Sequence, residues 1–286
     1  MTKQIALIGF GEAGFTFAQA GGWGSRATAF DIAPARRSVM EQVSVTVCQG
    51  LAEALSGASL VLSLVTADQA LAVAREAAGL IDPQALFCDM NSVAPGTKRE
   101  AAEALAAAGK RYVDVAVMAP VHPAALDVPL NISGEHAAEA EQLLAAAGFT
   151  KIKQVGDEIG RASTIKMLRS VMYKGMEALT AECVIACERA GVTDEVLGSF
   201  GSDWASGADY RFDRILVHGQ RRAAELREVC RTLSDLGLEP RMSSGTVAWE
   251  QELGELGINP PPEGLKAKLA AIAATPAFSS STKKEN

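Results

Sequence analysis

On a helix that turns about 100° per residue, Lys166, Ser170, Tyr173 and Glu177 of the segment Gly160 to Gly191 share one stripe roughly 60° wide. Arg169 and Lys174 flank it, and Leu168, Met172 and Leu179 lie opposite. A helix that is apolar over most of its girth, with a narrow line of lysine, hydroxyl and carboxylate, reads as a buried element with a polar cavity along one edge. An amphipathic helix with a solvated polar face is the alternative. A lysine in such a line can accept a proton only while neutral, a form that burial and the cationic neighbours Arg169 and Lys174 favour.

The elements that would position this stripe begin at the amino terminus. Gln4 to Ile8 is a short apolar run of the kind found in a central parallel strand, and Gly9-Phe10-Gly11-Glu12-Ala13-Gly14 follows at once, ahead of the helical pattern FTFAQA. In G-x-G-x-x-G the first glycine permits the tight turn, the second admits a pyrophosphate to the backbone, and the third allows close helix packing. The helix N-terminus then faces the phosphates. Ala27 to Phe30 forms the next strand, and Asp31 at its end is placed to accept hydrogen bonds from an adenosine ribose, with Ile32 beside it. A carboxylate there repels a ribose 2′-phosphate and so favours NAD. Arg36 and Arg37, a few residues on, keep NADP open.

Strand and helix patterns then alternate: strand Val43 to Val47, helix Leu51 to Leu55, strand Leu60 to Val65, helix Asp68 to Ala78, strand Ala85 to Cys88, helix Pro95 to Ala108 and strand Tyr112 to Val117. Strands Val128 to Ser133 and Lys151 to Val155, on either side of a helix Ala137 to Ala147, extend the series. This alternation indicates an α/β fold, a Rossmann doubly wound parallel sheet. Ligands collect at the carboxyl edge of such a sheet, here Leu64-Val65-Thr66 and the turn Asn91-Ser92, whose polar groups suit a nicotinamide ribose or a substrate hydroxyl. After Gly156 the patterns are helical: Thr193 to Phe200, Ala208 to Val217, Gln220 to Leu236, Ser244 to Leu256 and a short Leu265 to Ala274. The expected organisation is a dinucleotide-binding domain over 1–158, an all-α domain over 159–258 entered by a long helix, and a partly disordered extension over 259–286 ending in the frayed tail SSSTKKEN.

Composition narrows the partners. A net charge of −7 leaves no basic field for nucleic acid or an anionic membrane. The five cysteines are odd in number and scattered, and read as free thiols of a reducing compartment. Cys183 and Cys187 share a helical face, but none of the three histidines is placed to complete a metal site, so no metal is expected. No secretory h-region or membrane-length apolar run is present, which leads us to expect a cytoplasmic protein.

The order of these features resembles the β-hydroxyacid dehydrogenase family, which includes 3-hydroxyisobutyrate and 6-phosphogluconate dehydrogenases, over about residues 4 to 257. The resemblance rests on GFGEAG, on Asp89 through Pro95 with its Asn91-Ser92 pair, and on KMLRSVMYKGMEA. In that last segment the family's catalytic lysine matches Lys166, and its asparagine four residues on is replaced by Ser170. The resemblance implies hydride transfer between a nicotinamide and an alcohol on a small acid. Lys166 would then be the general acid and base, Asn91 and Ser170 would orient the substrate hydroxyl or the lysine, and Tyr173 would act as a second acid or simply pack. It also implies a homodimer built on the helical domain.

Two departures set the chain apart. Tyr173 stands where the 6-phosphogluconate enzymes carry the glutamate acid of decarboxylation, and Met118-Ala119-Pro120 replaces the Ser-Gly-Gly that holds the substrate carboxylate. The remaining candidates for anchoring an acidic substrate are His122, Arg169, Lys174 and Arg222. An imine reductase on a related scaffold and a non-catalytic dinucleotide sensor are the competing readings.

Overall fold

The computed structural model describes residues 4–201 and 203–279. They form two compact units that divide at Met167/Leu168, inside a long helix, whereas the sequence reading placed the boundary at 158/159, ahead of that helix. The tail from residue 280 onward lies outside the described residues.

The first unit is built on eight strands: β1 Gln4–Ile8, β2 Ala27–Phe30, β3 Thr46–Val47, β4 Ala58–Ser63, β5 Leu86–Asp89, β6 Arg111–Val117, β7 Leu130–Ser133 and β8 Ile152–Gln154. They form one sheet in the order β3-β2-β1-β4-β5-β6-β7-β8. All neighbours are parallel except β6 and β7, which pair antiparallel from Asp114–Ser133 to Val117–Leu130. Helices α1 Glu12–Gly21, α2 Arg37–Gln42, α3 Leu51–Leu55, α4 Ala70–Ala78, α5 Pro95–Ala107 and α6 Ala137–Ala147 connect the strands. Two apolar clusters, one around Leu7, Phe17 and Val113 and the other around Ala6, Val61 and Phe87, contain alternate residues of the same strands. A strand covered on both faces must be apolar at nearly every position, which is why β1 and β4 read as continuous runs.

The strand expected over Val43 to Val47 is shorter. Val43 and Ser44 close α2 through hydrogen bonds to Met40 and Glu41 carbonyls, Ser44 adopts φ 59°, and only Thr46 and Val47 pair with β2. Turn geometry here overrides the apolar pattern.

Helix α7 runs Arg161–Ala190, and the second unit adds α8 Thr193–Ser199, α9 Trp204–Asp235, α10 Arg241–Gly254 and α11 Leu265–Ala273. The two helices expected over Ala208 to Val217 and Gln220 to Leu236 are one. Gly219 lies in the gap between the two expected ranges, and a Cβ there would sit 2.2 Å from the Glu250 carbonyl and 2.9 Å from the Gly254 Cα. Gly219 therefore lets α9 and α10 touch backbone to backbone. The segment after residue 258 also belongs to this unit: Leu269, Ile272 and Phe278 enter its core beside Phe212 and Leu253. Lys268 is buried between Asp209, at 2.6 Å, and Asp213, at 2.7 Å.

The polarity of α7 differs from the sequence expectation over its second-unit part. Leu168, Met172 and Leu179 are exposed, while Lys174 and Glu177 are buried. The charged residues turn inward because Glu225 and Arg222 on α9 receive them, as described below. No helix among the described residues is long and apolar enough to cross a membrane.

Candidate active site

The glycine turn sits between β1 and α1 in the first unit. Gly9 has φ +86°, and a Cβ there would lie 2.6 Å from the Leu64 carbonyl oxygen, so both backbone conformation and the approach of the β4 end exclude a side chain. Gly14 packs its Cα against the turn, with 2.9 Å from an added Cβ to the Gly9 carbonyl. Gly11 differs: an added Cβ would meet no described atom within 4 Å. The space above it is open. Helix α1 begins there without a side-chain cap, so the first-turn amides around Glu12, Ala13 and Gly14 have no intrahelical acceptor. This is the cradle that a phosphate fits.

Gly11→Ala and Gly9→Ala should therefore part company. Gly11→Ala is expected to keep the melting temperature while weakening NADH binding by at least about tenfold, or about 1.4 kcal/mol. Gly9→Ala is expected to destabilise the folded unit itself. Thermal melts and NADH fluorescence titration read the two effects separately.

At the end of β2, Asp31 accepts hydrogen bonds from the amides of Phe10, at 2.7 Å, and Ala33, at 2.8 Å. A carboxylate has about four acceptor positions, so these two bonds fix its orientation and leave lone pairs for a ribose. Phe10 is buried, whereas Ile32 and Arg36 are exposed. Leu64 donates its amide to Ile8 at 2.7 Å, Val65 is half-buried and Thr66 is exposed, so the β4 end lies alongside the glycine turn. These residues fit a dinucleotide.

The Asn91-Ser92 turn follows β5. The Asn91 amide N–H donates to Asp89 Oδ1 at 2.9 Å and its side-chain Nδ2 to Ser63 Oγ at 2.9 Å. Its Oδ1 is buried and has no hydrogen-bond partner among the described residues. An orphaned buried carbonyl costs roughly 1–3 kcal/mol, which a donor from a bound ligand would recover. Lys166, in the second turn of α7, donates from Nζ to Ser92 Oγ at 2.5 Å. The structure thus brings together Asn91, Ser92 and Lys166, all in the first unit. Met118, Ala119, Pro120 and His122 follow β6. Met118 donates its amide to the Pro129 carbonyl at 2.8 Å, and His122 Nε2 shares a hydrogen bond of 3.0 Å with Thr16 Oγ1 of α1.

The other candidates lie in the second unit. Ser170 is half-buried. Tyr173 is 60% exposed, with the Arg169 guanidinium 4.5 Å from its ring centre, and hydrogen bonding to Arg169 holds the phenol below its ordinary pKa. Lys174 is buried and pairs with Glu225 at 2.7 Å; burial lowers its pKa and Glu225 opposes the shift. Arg222, expected as a substrate anchor, instead donates to Glu177 and, at 3.3 Å, to Glu250. Its charge is matched inside the helical unit, and the same holds for Lys174.

Burial pushes the Glu250 carboxyl up to about 8, against the pull of Arg222 and with the charge of Glu177 adding to the rise. The folded unit then holds a proton that the unfolded chain releases above its ordinary value of 4.5. This contribution to stability is present at low pH and is lost as pH rises through about 8. Urea midpoints of the wild type should fall between about pH 5 and about pH 8.5, and Glu250→Gln should flatten that decline.

Sequence reasoning missed the buried polar cluster beneath the Asn91-Ser92 turn: Asp89, Lys98, Tyr112, Asp114, Ser133 and Ser163. The available signal was Lys98 itself, which shares a face of α5 with the buried Ala101 and Leu105.

Residues 4–156, more than half of the chain, match the NAD binding domain of 6-phosphogluconate dehydrogenase, and residues 187–253 match a domain of unknown function, DUF1932. A conserved hypothetical protein from Sinorhizobium meliloti 1021 is 36% identical, with a TM-score of 0.75 over 95% of this chain and 96% of its own. A conserved protein of unknown function with structural similarity to 3-hydroxyacid dehydrogenases is 30% identical, with a TM-score of 0.70 over 88% of this chain and 97% of its own. The 3-hydroxyisobutyrate dehydrogenase of Mycobacterium tuberculosis, solved with L-serine, shares the fold at 18% identity, with a TM-score of 0.72 over 89% of this chain and 94% of its own. The glycine turn, the mostly parallel sheet and the helical unit that follows it agree with these likenesses, and the chain belongs to the β-hydroxyacid dehydrogenase family, in a branch that joins this type of NAD binding domain to DUF1932.

Proposed function

We propose that the protein is a NAD-dependent oxidoreductase that interconverts an alcohol on a small acid and the corresponding carbonyl, with Lys166 moving the hydroxyl proton. The observation that carries this reading is the 2.5 Å bond between Lys166 Nζ and Ser92 Oγ, one residue from the buried, unpartnered Asn91 Oδ1. A bound nicotinamide supplies hydride acceptance. The turn around Gly11 and the α1 N-terminus hold the pyrophosphate, Asp31 the adenosine ribose, and Asn91 a donor of the nicotinamide half. Lys166 takes the proton from the substrate hydroxyl as the alcohol is oxidised and returns it in the reverse direction. Ser92 holds the lysine in place, and its hydroxyl can relay the proton. The carboxylate of Asp31 supports NAD over NADP, with the exposed Arg36 as the competing feature.

The test is a screen of 3-hydroxyacids, sugar acids and 3-hydroxy amino acids with NAD and NADP, read by absorbance of the reduced nicotinamide. L-serine belongs in the panel because the Mycobacterium tuberculosis relative was solved with it. Turnover of one of these acids supports the reading. Reduction of cyclic imines instead would place the chemistry at C=N, and tight NADH binding without any turnover would make the protein a sensor.

The homodimer is also a proposal. Leu168, Met172 and Leu179 are exposed along one face of α7, within a stripe of about 40°. A second copy covering that face would bury them. Met172→Glu is expected to yield monomers in sedimentation velocity, and an unchanged sedimentation coefficient would exclude this interface.

A further inference from the structure

Lys98 is fully buried; its ammonium donates to the Asp89 carbonyl at 2.6 Å and forms ion pairs with Asp89 Oδ1 at 3.0 Å and Asp114 Oδ1 at 3.4 Å. Each aspartate in turn holds a separate piece of backbone. Asp89 accepts the Asn91 amide at 2.9 Å, which shapes the turn that carries Ser92, and also takes the Tyr112 hydroxyl at 2.8 Å. Asp114 accepts the Ser163 amide at 2.9 Å and the Ser163 hydroxyl at 2.6 Å, while Ser133 Oγ accepts the Ala162 amide at 3.0 Å. These bonds cap the first turn of α7, and Lys166 stands on the next.

Two unpaired buried carboxylates would repel each other and lack solvent. A single cation between them removes the repulsion and ties the Ser92 turn to the α7 N-terminus. The cluster lies entirely in the first unit, as do Ser92 and Lys166. We propose that Lys98 is a positioning residue: through Asp89 and Asp114 it locks the two backbone segments that set Lys166 Nζ against Ser92 Oγ. This inference rests on the reading of Lys166 as the proton-transfer group, and Lys98 itself touches neither Ser92 nor Lys166.

Competitive labelling of the whole protein with acetic anhydride, followed by peptide mass mapping, reads the reactivity of Lys166 without a substrate. Ser92→Ala removes the Oγ acceptor of this bond and is expected to raise Lys166 labelling, relative to Lys110, by about tenfold, the factor of one pK unit. Lys98→Met and the milder Ser163→Ala are expected to move Lys166 in the same direction. Ser163→Ala removes only the hydroxyl bond to Asp114, so it keeps the test decisive if Lys98→Met fails to fold. A purely structural Lys98 would lower the melting temperature and leave Lys166 labelling at its wild-type value. That result, in folded Lys98→Met or in Ser163→Ala, overturns the proposal, as does an unchanged Lys166 in Ser92→Ala. Turnover of Lys166→Ala tests the proton-transfer reading separately, because the labelling result does not depend on catalysis.

Discussion

Lys166→Ala is expected to lower turnover of the substrate found in the screen by about 10²–10⁴-fold, the range of general acid–base assistance. NADH affinity should stay within about threefold of wild type, because the cradle at Gly11 and the Asp31 carboxylate are untouched. Lys166→Arg should not restore activity, since a guanidinium does not give up its proton near neutrality. Ser92→Ala should fall between wild type and Lys166→Ala, because it loosens the amine without removing it. A loss smaller than about tenfold in Lys166→Ala, with cofactor binding intact, would assign the proton to another group.

The largest stability effect is expected from Arg222→Met in the helical unit. Arg222 is buried between Glu177 and Glu250, and Glu250 keeps a second oxygen, Oε2, without a partner among the described residues. Removing the guanidinium strands two buried carboxyls and should cost about 3–5 kcal/mol, read as a fall in the urea midpoint of this unit. The triple replacement Arg222→Met, Glu177→Leu, Glu250→Leu should recover most of that loss, because exchanging a whole buried ionic group for apolar side chains removes the desolvation cost together with the attraction. If Arg222 anchored substrate instead, Arg222→Met would raise KM and leave the urea midpoint unchanged.

These two residues also show how far reading along the chain carries. The place of Lys166 on a long helix, the glycine turn, β2 and Asp31 were recognisable because helical spacing, tight turns and strand ends depend on the residues nearby in the chain. The pairing of Arg222 was not legible, because its partners stand on α7 and α10 and no periodicity within α9 reveals them. The same holds for Lys174, whose partner Glu225 stands on another helix. Gly219 is a close backbone contact with α10, which nothing within α9 alone reveals. Lys98 carried a faint signal as a charge on an apolar face, but its meaning depends on Asp89 and Asp114, the ends of two strands.

The glycine turn is the part that the chain determined by itself: Gly9 supplies a conformation that other residues adopt poorly, Gly11 leaves open space, and α1 follows directly without a side-chain cap. Those properties are local, set by φ, by the absence of a Cβ and by the start of a helix. Tertiary structure decided what Lys166 bonds to, since Ser92 is 74 residues away, and which charges are buried, since each needs an opposite charge from another element. A buried charge is tolerated only where a partner offsets its desolvation, and in this protein those partners meet only after the strands and helices have packed.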